Sequence, residues 1–176
     1  NEGIKKKIEV VGNTITDSLK SKKLKRLKKK FFLLTIHRYE NVNVKKRLNK
    51  ILKIMKKISK IYNLSVIFPC HPNTQNKIHE YKIKISKNIN IIDPINYDNF
   101  LILLKNCKIV FSDSGGIQEE ACILKKHLIT FRNNTERPET LQINSNYLSE
   151  LSEKKVINRV KKIFQSKINW TKNPYG

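Results

Sequence analysis

The chain has 176 residues, of which 39% are hydrophobic, so it is long enough for about one domain with a buried core. The formal net charge is +23, which raises the question of nucleic-acid binding, but the apolar content excludes a globally disordered chain. No apolar run reaches the roughly 18 residues of a membrane-spanning helix, and the start lacks the apolar segment of a signal peptide. We therefore expect a soluble, cytoplasmic protein.

Residues 1–30 are predicted to be a linker and the remnant of an interdomain region. Their most basic part, from Ser21 to Lys30, contains two leucines and offers little apolar face. Such a run is typical of a solvated connector and less so of a nucleic-acid-binding arm. The folded domain is expected to comprise residues 31–176.

Five short apolar runs follow. Each is continuous, whereas a half-exposed strand would alternate apolar and polar residues. Continuous runs are typical of strands buried on both faces of a parallel sheet. The runs are 31–36, 64–70, 89–94, 108–113 and 127–132. Helical stretches separate them: an amphipathic one at 44–62, shorter ones at about 73–86, 97–106 and 115–125, and a last one at about 153–165. This alternation predicts an α/β fold with a doubly wound parallel sheet.

The turn after the fourth run carries the most informative polar residues, because ligands bind at the carboxyl ends of strands in such sheets. Ser114, Gly115 and Gly116 stand between a strand and a helix. The glycines let a ligand approach the backbone, and a helix amino end favours an anion such as phosphate. Glu120, one turn further, could accept hydrogen bonds from both hydroxyls of a ribose. A tight turn before an ordinary helix start explains these residues equally well.

Histidines follow two other runs. His37 and Arg38 after the first run could neutralise a diphosphate, and a histidine could also transfer a proton near neutral pH. His71 after the second run could contact a ligand or support its turn. His79 and His127 have no such setting and are treated as background.

Arg137 lies after the fifth run, where it could clamp a ligand or hold its own loop by pairing with Glu136 or Glu139. No pair of carboxylates or histidines has a metal-ligand spacing, so we expect no catalytic metal. A disulfide scaffold and a zinc ribbon are equally unexpected from the three cysteines, which are Cys70, Cys107 and Cys122.

The basic charge gives little support to specific nucleic-acid binding. Only six of the 37 basic residues are arginine, the residue that bidentate readout favours. Lysine, isoleucine and asparagine are over-used together, as compositional drift of a genome would produce. Loose electrostatic attraction is the stronger expectation.

The motifs form an ordered set. It runs Gly12-Asn13-Thr14, His37-Arg38-x-Glu40-Asn41, Pro69-x-His71-Pro72, Asp113 to Glu120, Thr135 to Glu139 and Asn173-Pro174-Tyr175-Gly176. The set resembles the non-hydrolysing UDP-N-acetylglucosamine 2-epimerases. The resemblance covers nearly the whole chain but only the carboxyl-terminal half of that family's length.

The resemblance implies the Rossmann-like, carboxyl-terminal nucleotide-binding domain of a glycosyltransferase B type fold. Family members are isomerases that interconvert UDP-N-acetylglucosamine and UDP-N-acetylmannosamine by eliminating and re-adding UDP. They use no nicotinamide cofactor, so the resemblance implies that no cofactor is needed. Their sugar-directed carboxylates lie in an amino-terminal catalytic domain that is absent from these 176 residues. We therefore expect this chain to bind UDP or UDP-N-acetylglucosamine and to be inactive alone.

The resemblance also implies partners. It implies a homodimer for the full-length protein, and the missing domain could come from another chain. Two alternatives stay open: the hydrolysing 2-epimerase, which releases free N-acetylmannosamine, and a basic nucleic-acid-binding module. Thr135 to Glu139 favours the non-hydrolysing branch.

Residue roles follow from the resemblance as well. His37 would contact the diphosphate and assist its departure, which makes it the predicted catalytic residue. Phe100 would line the uracil pocket, although a core aromatic is as plausible from sequence. Arg38 and His71 resemble residues of an effector pocket for a second nucleotide sugar. The predicted substrate-binding set is His37, Phe100, Ser114, Gly115, Gly116, Glu120 and Arg137.

Overall fold

The centre of the molecule is one six-stranded sheet. The strands are β1 (Phe32–Thr35), β2 (Val66–Pro69), β3 (Ile89–Ile92), β4 (Val110–Ser112), β5 (Leu128–Thr130) and β6 (Asn146–Leu148). All neighbours pair in parallel, in the order β3-β2-β1-β4-β5-β6. This computed structural model describes residues 13–20, 22, 24–166, 168, 170 and 173–176. The predicted doubly wound parallel sheet is confirmed.

Eight helices connect and cover the strands in the described part of the chain. They are α1 (Ile15–Lys20), α2 (Tyr39–Val42), α3 (Lys45–Tyr62), α4 (Pro72–Glu80), α5 (Tyr97–Asn106), α6 (Gly115–Ile123), α7 (Pro138–Gln142) and α8 (Glu153–Gln165). The helix predicted at 73–86 ends at Glu80, because Lys82 adopts a left-handed backbone with φ 52°. The elements that the sequence did not predict, α1, α2, α7 and β6, have three to six residues, too few to display a period.

The sheet has a helical layer on each face. Successive strand residues point to opposite faces, so Phe32 and Leu34 join the core beneath α3 and α8 while Leu33 joins the core beneath α1, α5 and α6. In the first core, the Phe32 and Phe111 rings meet edge to face with centroids 5.7 Å apart. The buried stripe of α3 supplies much of this core, and its lysines occupy the opposite side.

The chain order of the strands reverses between β1 and β4, which lie side by side at the centre of the sheet. This is the switch point at which α/β sheets open a crevice. Thr35 and Ser112, at the carboxyl ends of the two strands, share a hydrogen bond of 2.7 Å between their hydroxyl oxygens. The residues that follow β1 and β4 therefore emerge next to each other.

The described part of residues 1–30 packs on the domain. Helix α1 contacts α6, and the backbone N–H of Asn13 donates to the carbonyl of Tyr175 at 3.0 Å. Gly12, the first residue of the Gly-Asn-Thr motif, lies outside the described residues, and the boundary at residue 30 stays a prediction. Within the described residues, every helix is too short or too polar to cross a membrane.

Candidate functional site

Asp113 is the structural centre of the crevice. Its side chain is fully buried directly after β4, and its carboxylate accepts from the backbone N–H of Arg38 at 3.0 Å and from the amide of Asn41 at 3.0 Å. Burial alone would raise the pKa of this carboxyl, but hydrogen bonds from His37 and Asn41 outweigh it and lower the pKa. Asp113 is therefore ionised at neutral pH and fixes the loop after β1.

His37 is held by the same carboxylate. Its backbone N–H and its ring Nδ1 each lie 3.2 Å from Oδ1 of Asp113. About half of the His37 side chain is exposed, whereas Asp113 is covered. Because Nδ1 is engaged, Nε2 is the ring nitrogen left for a ligand.

The amino end of α6 opens at the same edge. The Ser114 hydroxyl makes no capping hydrogen bond, and the first amides of a helix have no partner within the helix. A methyl group added at Gly116 would meet nothing within 4 Å, whereas one at Gly115 would lie 3.3 Å from a carboxylate oxygen of Glu136. The helix mouth is thus open on the Gly116 side, as an anion seat requires.

Glu120 lies one turn into α6 and is 8% exposed. Its Oε1 accepts a hydrogen bond of 3.0 Å from the hydroxyl of Tyr97, the first residue of α5. Burial raises the pKa of Glu120, the Tyr97 hydroxyl lowers it, and neighbouring Glu119 raises it, with a net increase. Burial and the Glu120 carboxylate raise the pKa of Tyr97 to about 12, so the phenol is protonated and donates.

One cavity of about 370 Å³ lies across the carboxyl ends of β1, β2 and β3. His37, His71, Tyr97 and Phe100 line it. Phe100 also packs against the core beneath α5, so both of its alternative roles have a structural basis. His71 likewise has a structural basis for ligand contact and for support of its turn. It lines the cavity, and its Nδ1 caps α4 by accepting from the backbone N–H of Asn73 at 3.2 Å.

Arg137 pairs with a residue that the sequence did not indicate. Its Nε donates to the carboxylate of Glu119, on α6, and its Nη1 donates to the backbone carbonyl of Glu136 at 3.0 Å. The guanidinium therefore contacts its own loop through that carbonyl, while the carboxylate that pairs with it lies on α6. Glu139 instead accepts from the Tyr175 hydroxyl at 2.7 Å.

The remaining charges of the crevice are partly paired. Arg132 binds both carboxylate oxygens of Glu136 at 2.8 Å, and these hydrogen bonds are the main cause that lowers the pKa of Glu136 to about 2. Arg38 has a buried Nε–H that finds no hydrogen-bond partner among the described residues. A buried guanidinium nitrogen without an acceptor favours an anionic ligand beside it. No group of three metal-ligating side chains occurs among the residues described.

The family model for UDP-N-acetylglucosamine 2-epimerase matches residues 1–176. The chain belongs to the UDP-N-acetylglucosamine 2-epimerase family. The UDP-N-acetylglucosamine 2-epimerases of Methanocaldococcus jannaschii and Methanococcus maripaludis are 43% and 42% identical to it, and each alignment covers 99% of this chain and 53% of the relative. The crystal structure of the M. jannaschii UDP-GlcNAc 2-epimerase in complex with UDP-GlcNAc and UDP has 40% identity and a TM-score of 0.84, with 96% of this chain and 51% of that chain covered.

This member of the 2-epimerase family therefore spans about half the length of the relatives it matches. Three crevice residues received no role of their own from the sequence. Asp113 and Glu119 belong to the motif after the fourth run, but the motif does not show which residues they contact. Tyr97 lies outside the motifs and acts through Glu120 on another element.

Proposed function

We propose that this chain is the UDP-binding half of a non-hydrolysing UDP-N-acetylglucosamine 2-epimerase. One observation carries the proposal: His37, the open mouth of α6 and the Tyr97–Glu120 pair converge at the carboxyl edge of the sheet, around its switch point. A nucleoside diphosphate needs an anion seat and an acceptor for its ribose hydroxyls, and this edge offers both. That a M. jannaschii relative was crystallised with UDP-GlcNAc and UDP supports the choice of nucleotide.

The proposed placement puts the diphosphate at Ser114, Gly115 and Gly116, where backbone amides and the helix dipole offset its charge. Glu120 accepts from the ribose hydroxyls, and Phe100 lines the uracil pocket. Arg137 contacts the substrate once it exchanges Glu119 for the ligand.

In the proposed reaction, a base removes the proton from the carbon next to the anomeric carbon, and that C–H electron pair forms a double bond between the two carbons. The bond between the anomeric carbon and the diphosphate oxygen breaks, and UDP leaves with its electron pair. His37 stabilises the departing charge from the position that Asp113 fixes, and it can donate a proton to the diphosphate. Re-addition of UDP reverses the step after the proton on the neighbouring carbon has been replaced from the other face. We assign the groups that move that proton to the other half of the enzyme, so we expect this chain alone to bind and not to turn over.

Calorimetric titration with UDP and with ADP tests the binding proposal. We expect saturable binding of UDP that is stronger than that of ADP and only modestly sensitive to salt between 50 and 200 mM, in contrast to lysine-driven polyanion binding. Glu120→Ala should weaken UDP by roughly tenfold to a hundredfold, since it removes hydrogen bonds of about 1.5–3 kcal/mol to a charged acceptor. Glu150→Ala, an exposed glutamate paired with Lys155, is the matched control and should change little.

Two results would contradict the proposal. Equal affinity for UDP and ADP would remove the uridine assignment, and turnover of UDP-N-acetylglucosamine by this chain alone would show that it contains the sugar-directed acid and base. Analysis of the products of the complete protein then separates the two branches, since the hydrolysing reaction releases free N-acetylmannosamine.

A further inference from the structure

The opposite edge of the sheet contains a buried histidine that the crevice does not use. His127 stands directly before β5 and is 6% exposed. Among the described residues, no group meets hydrogen-bond distance and angle at either ring nitrogen, and the backbone of Asn144 is the polar group near the ring. Burial lowers the pKa of this imidazole, the backbone of Asn144 raises it, and the nearby Lys108 and Arg159 lower it further. The net shift is downward, so at neutral pH the ring is uncharged and carries one N–H. A buried polar group without a partner is costly and calls for an explanation.

Two cavities flank the imidazole, with volumes of about 190 and 200 Å³, and they share His127, Ile163 and Ser166. Together they form a trough, which we call the basic trough. Six cationic side chains line it: Lys30, Lys108, Lys125, Lys126, Arg159 and Lys162. None of the described residues that line the two cavities is a carboxylate.

Lys126 makes a contact that does not neutralise its charge. Its ammonium donates to the backbone carbonyl of Cys107 at 3.1 Å. A carbonyl satisfies the donor but carries no formal negative charge. Burial, together with the charges of other lysines that include Lys30, lowers the pKa of Lys126, as expected where like charges crowd.

Helix dipoles offset only part of this charge. Helices α5, α6 and α8 end at this edge, at Asn106, Ile123 and Gln165. Each carboxyl end carries about half a negative charge, which is small beside the full charges of Lys108, Lys126, Arg159 and Lys162. The basic trough therefore keeps a surplus of positive charge beside the imidazole of His127.

We propose that the basic trough binds a small phosphate-bearing anion, of the size of phosphate or diphosphate, and that His127 contributes to its recognition. The cavities are concave and small, which suits a compact anion better than an extended polymer lying across a flat surface. Charge-assisted hydrogen bonds from lysine and arginine would supply the affinity, and the imidazole N–H would gain an acceptor. Because the trough lies at the amino ends of the strands, it is separate from the proposed nucleotide crevice.

The chain has a built-in reporter for this site. Trp170 is its only tryptophan, and the indole stands edge-on to His127 with ring centroids 4.7 Å apart. Titration with inorganic pyrophosphate, against sodium chloride at equal ionic strength, should give a saturable change in tryptophan fluorescence. It should also raise the melting temperature, as any ligand of the folded state does.

A matched pair of variants separates the trough from general attraction by the net charge. Lys108→Gln with Lys162→Gln removes one lining cation from each cavity, and we expect pyrophosphate to bind about tenfold more weakly or worse. Lys154→Gln with Lys161→Gln removes the same charge from exposed positions of α8 that line neither cavity, and affinity should stay within about twofold.

His127→Phe tests the imidazole directly. Without anion it should melt about 2–4 °C higher, since no unpaired polar group stays buried, and pyrophosphate should add less stability than in the wild type. Equal weakening by both lysine pairs would overturn the proposal, as would a linear, non-saturable fluorescence response. Wild-type affinity in His127→Phe would remove the histidine from the site.

Discussion

A single carboxylate oxygen of Asp113 receives both the backbone N–H and the ring Nδ1 of His37, each at 3.2 Å. The proposed catalytic histidine is thus positioned through its main chain and its side chain by one buried charge. The same carboxylate also accepts hydrogen bonds from the backbone N–H of Arg38 and the side-chain amide of Asn41. The loop after β1 and the end of β4 therefore form one hydrogen-bonded unit.

Asp113→Asn should destabilise the chain by about 3 kcal/mol at neutral pH, because a carboxamide cannot accept from all of these donors. The folded-state pKa of Asp113 is lowered, so its contribution is present above the unfolded value of about 3.9 and is lost as pH falls through the folded value. The destabilisation caused by Asp113→Asn should accordingly be smaller in acid. Urea unfolding of the wild type and the variant at pH 7 and in acid measures this difference. Asp98→Asn, at an exposed ion pair with Lys22, is the control, and an equally small effect at Asp113 would refute the assignment.

Glu120→Gln should weaken UDP binding and at the same time stabilise the free chain at pH 7. The pKa of Glu120 is raised in the folded state, so the stability linked to this group is present below its unfolded pKa and is lost as pH rises through the folded value. A glutamine removes the burial penalty of the charge and still accepts from Tyr97. Thermal melts measure the stability of the free chain, and calorimetry on the same preparation measures UDP binding. A loss of stability at pH 7 in this variant would show that the buried charge of Glu120 does not destabilise the free chain.

Tyr97→Phe should shift the pH dependence of UDP binding. The Tyr97 hydroxyl lowers the pKa of Glu120, so its removal lets the carboxylate take up a proton at a higher pH. UDP affinity, measured across mildly acidic pH, should then begin to fall at a higher pH than in the wild type. Tyr81→Phe, which removes a hydroxyl that donates to the Asn43 carbonyl away from the crevice, should leave the profile unchanged. Superimposable profiles for Tyr97→Phe and wild type would contradict the role.

Gly116→Ala should separate folding from binding. A methyl group at this position meets nothing within 4 Å, so the free energy of unfolding should stay the same or rise by up to about 1 kcal/mol. UDP should bind about tenfold more weakly, because the methyl group occupies the proposed anion seat. Urea unfolding and UDP titration of one variant suffice. Undiminished affinity would place the diphosphate elsewhere.

Local pattern was enough for the framework of the fold. The five predicted strands and the helix α3 were confirmed because continuous apolar runs and a lysine-backed apolar stripe are visible within a few residues. Strand β6 escaped because three residues, one of them Asn146, display no period. Helix α7 escaped for the same reason.

In the candidate site, too, local sequence features could be predicted and contacts between distant segments could not. Ser114, Gly115 and Gly116 could be singled out because a strand, two glycines and a helix are consecutive in the chain. The pairing of Arg137 with Glu119 could not be, since the nearest carboxylates in sequence were Glu136 and Glu139.

The sequence by itself determined the alternation of strands and helices and the resemblance to the 2-epimerase family, because apolar periodicity and short ordered motifs are properties of neighbouring residues. Tertiary structure alone decided that β4 adds beside β1. That choice brings Asp113 to His37 across a sequence separation of 76 residues and buries His127 at the opposite edge of the sheet. Such contacts depend on which distant segments share the sheet's edge, and the free energy that selects them comes from burial of the whole core.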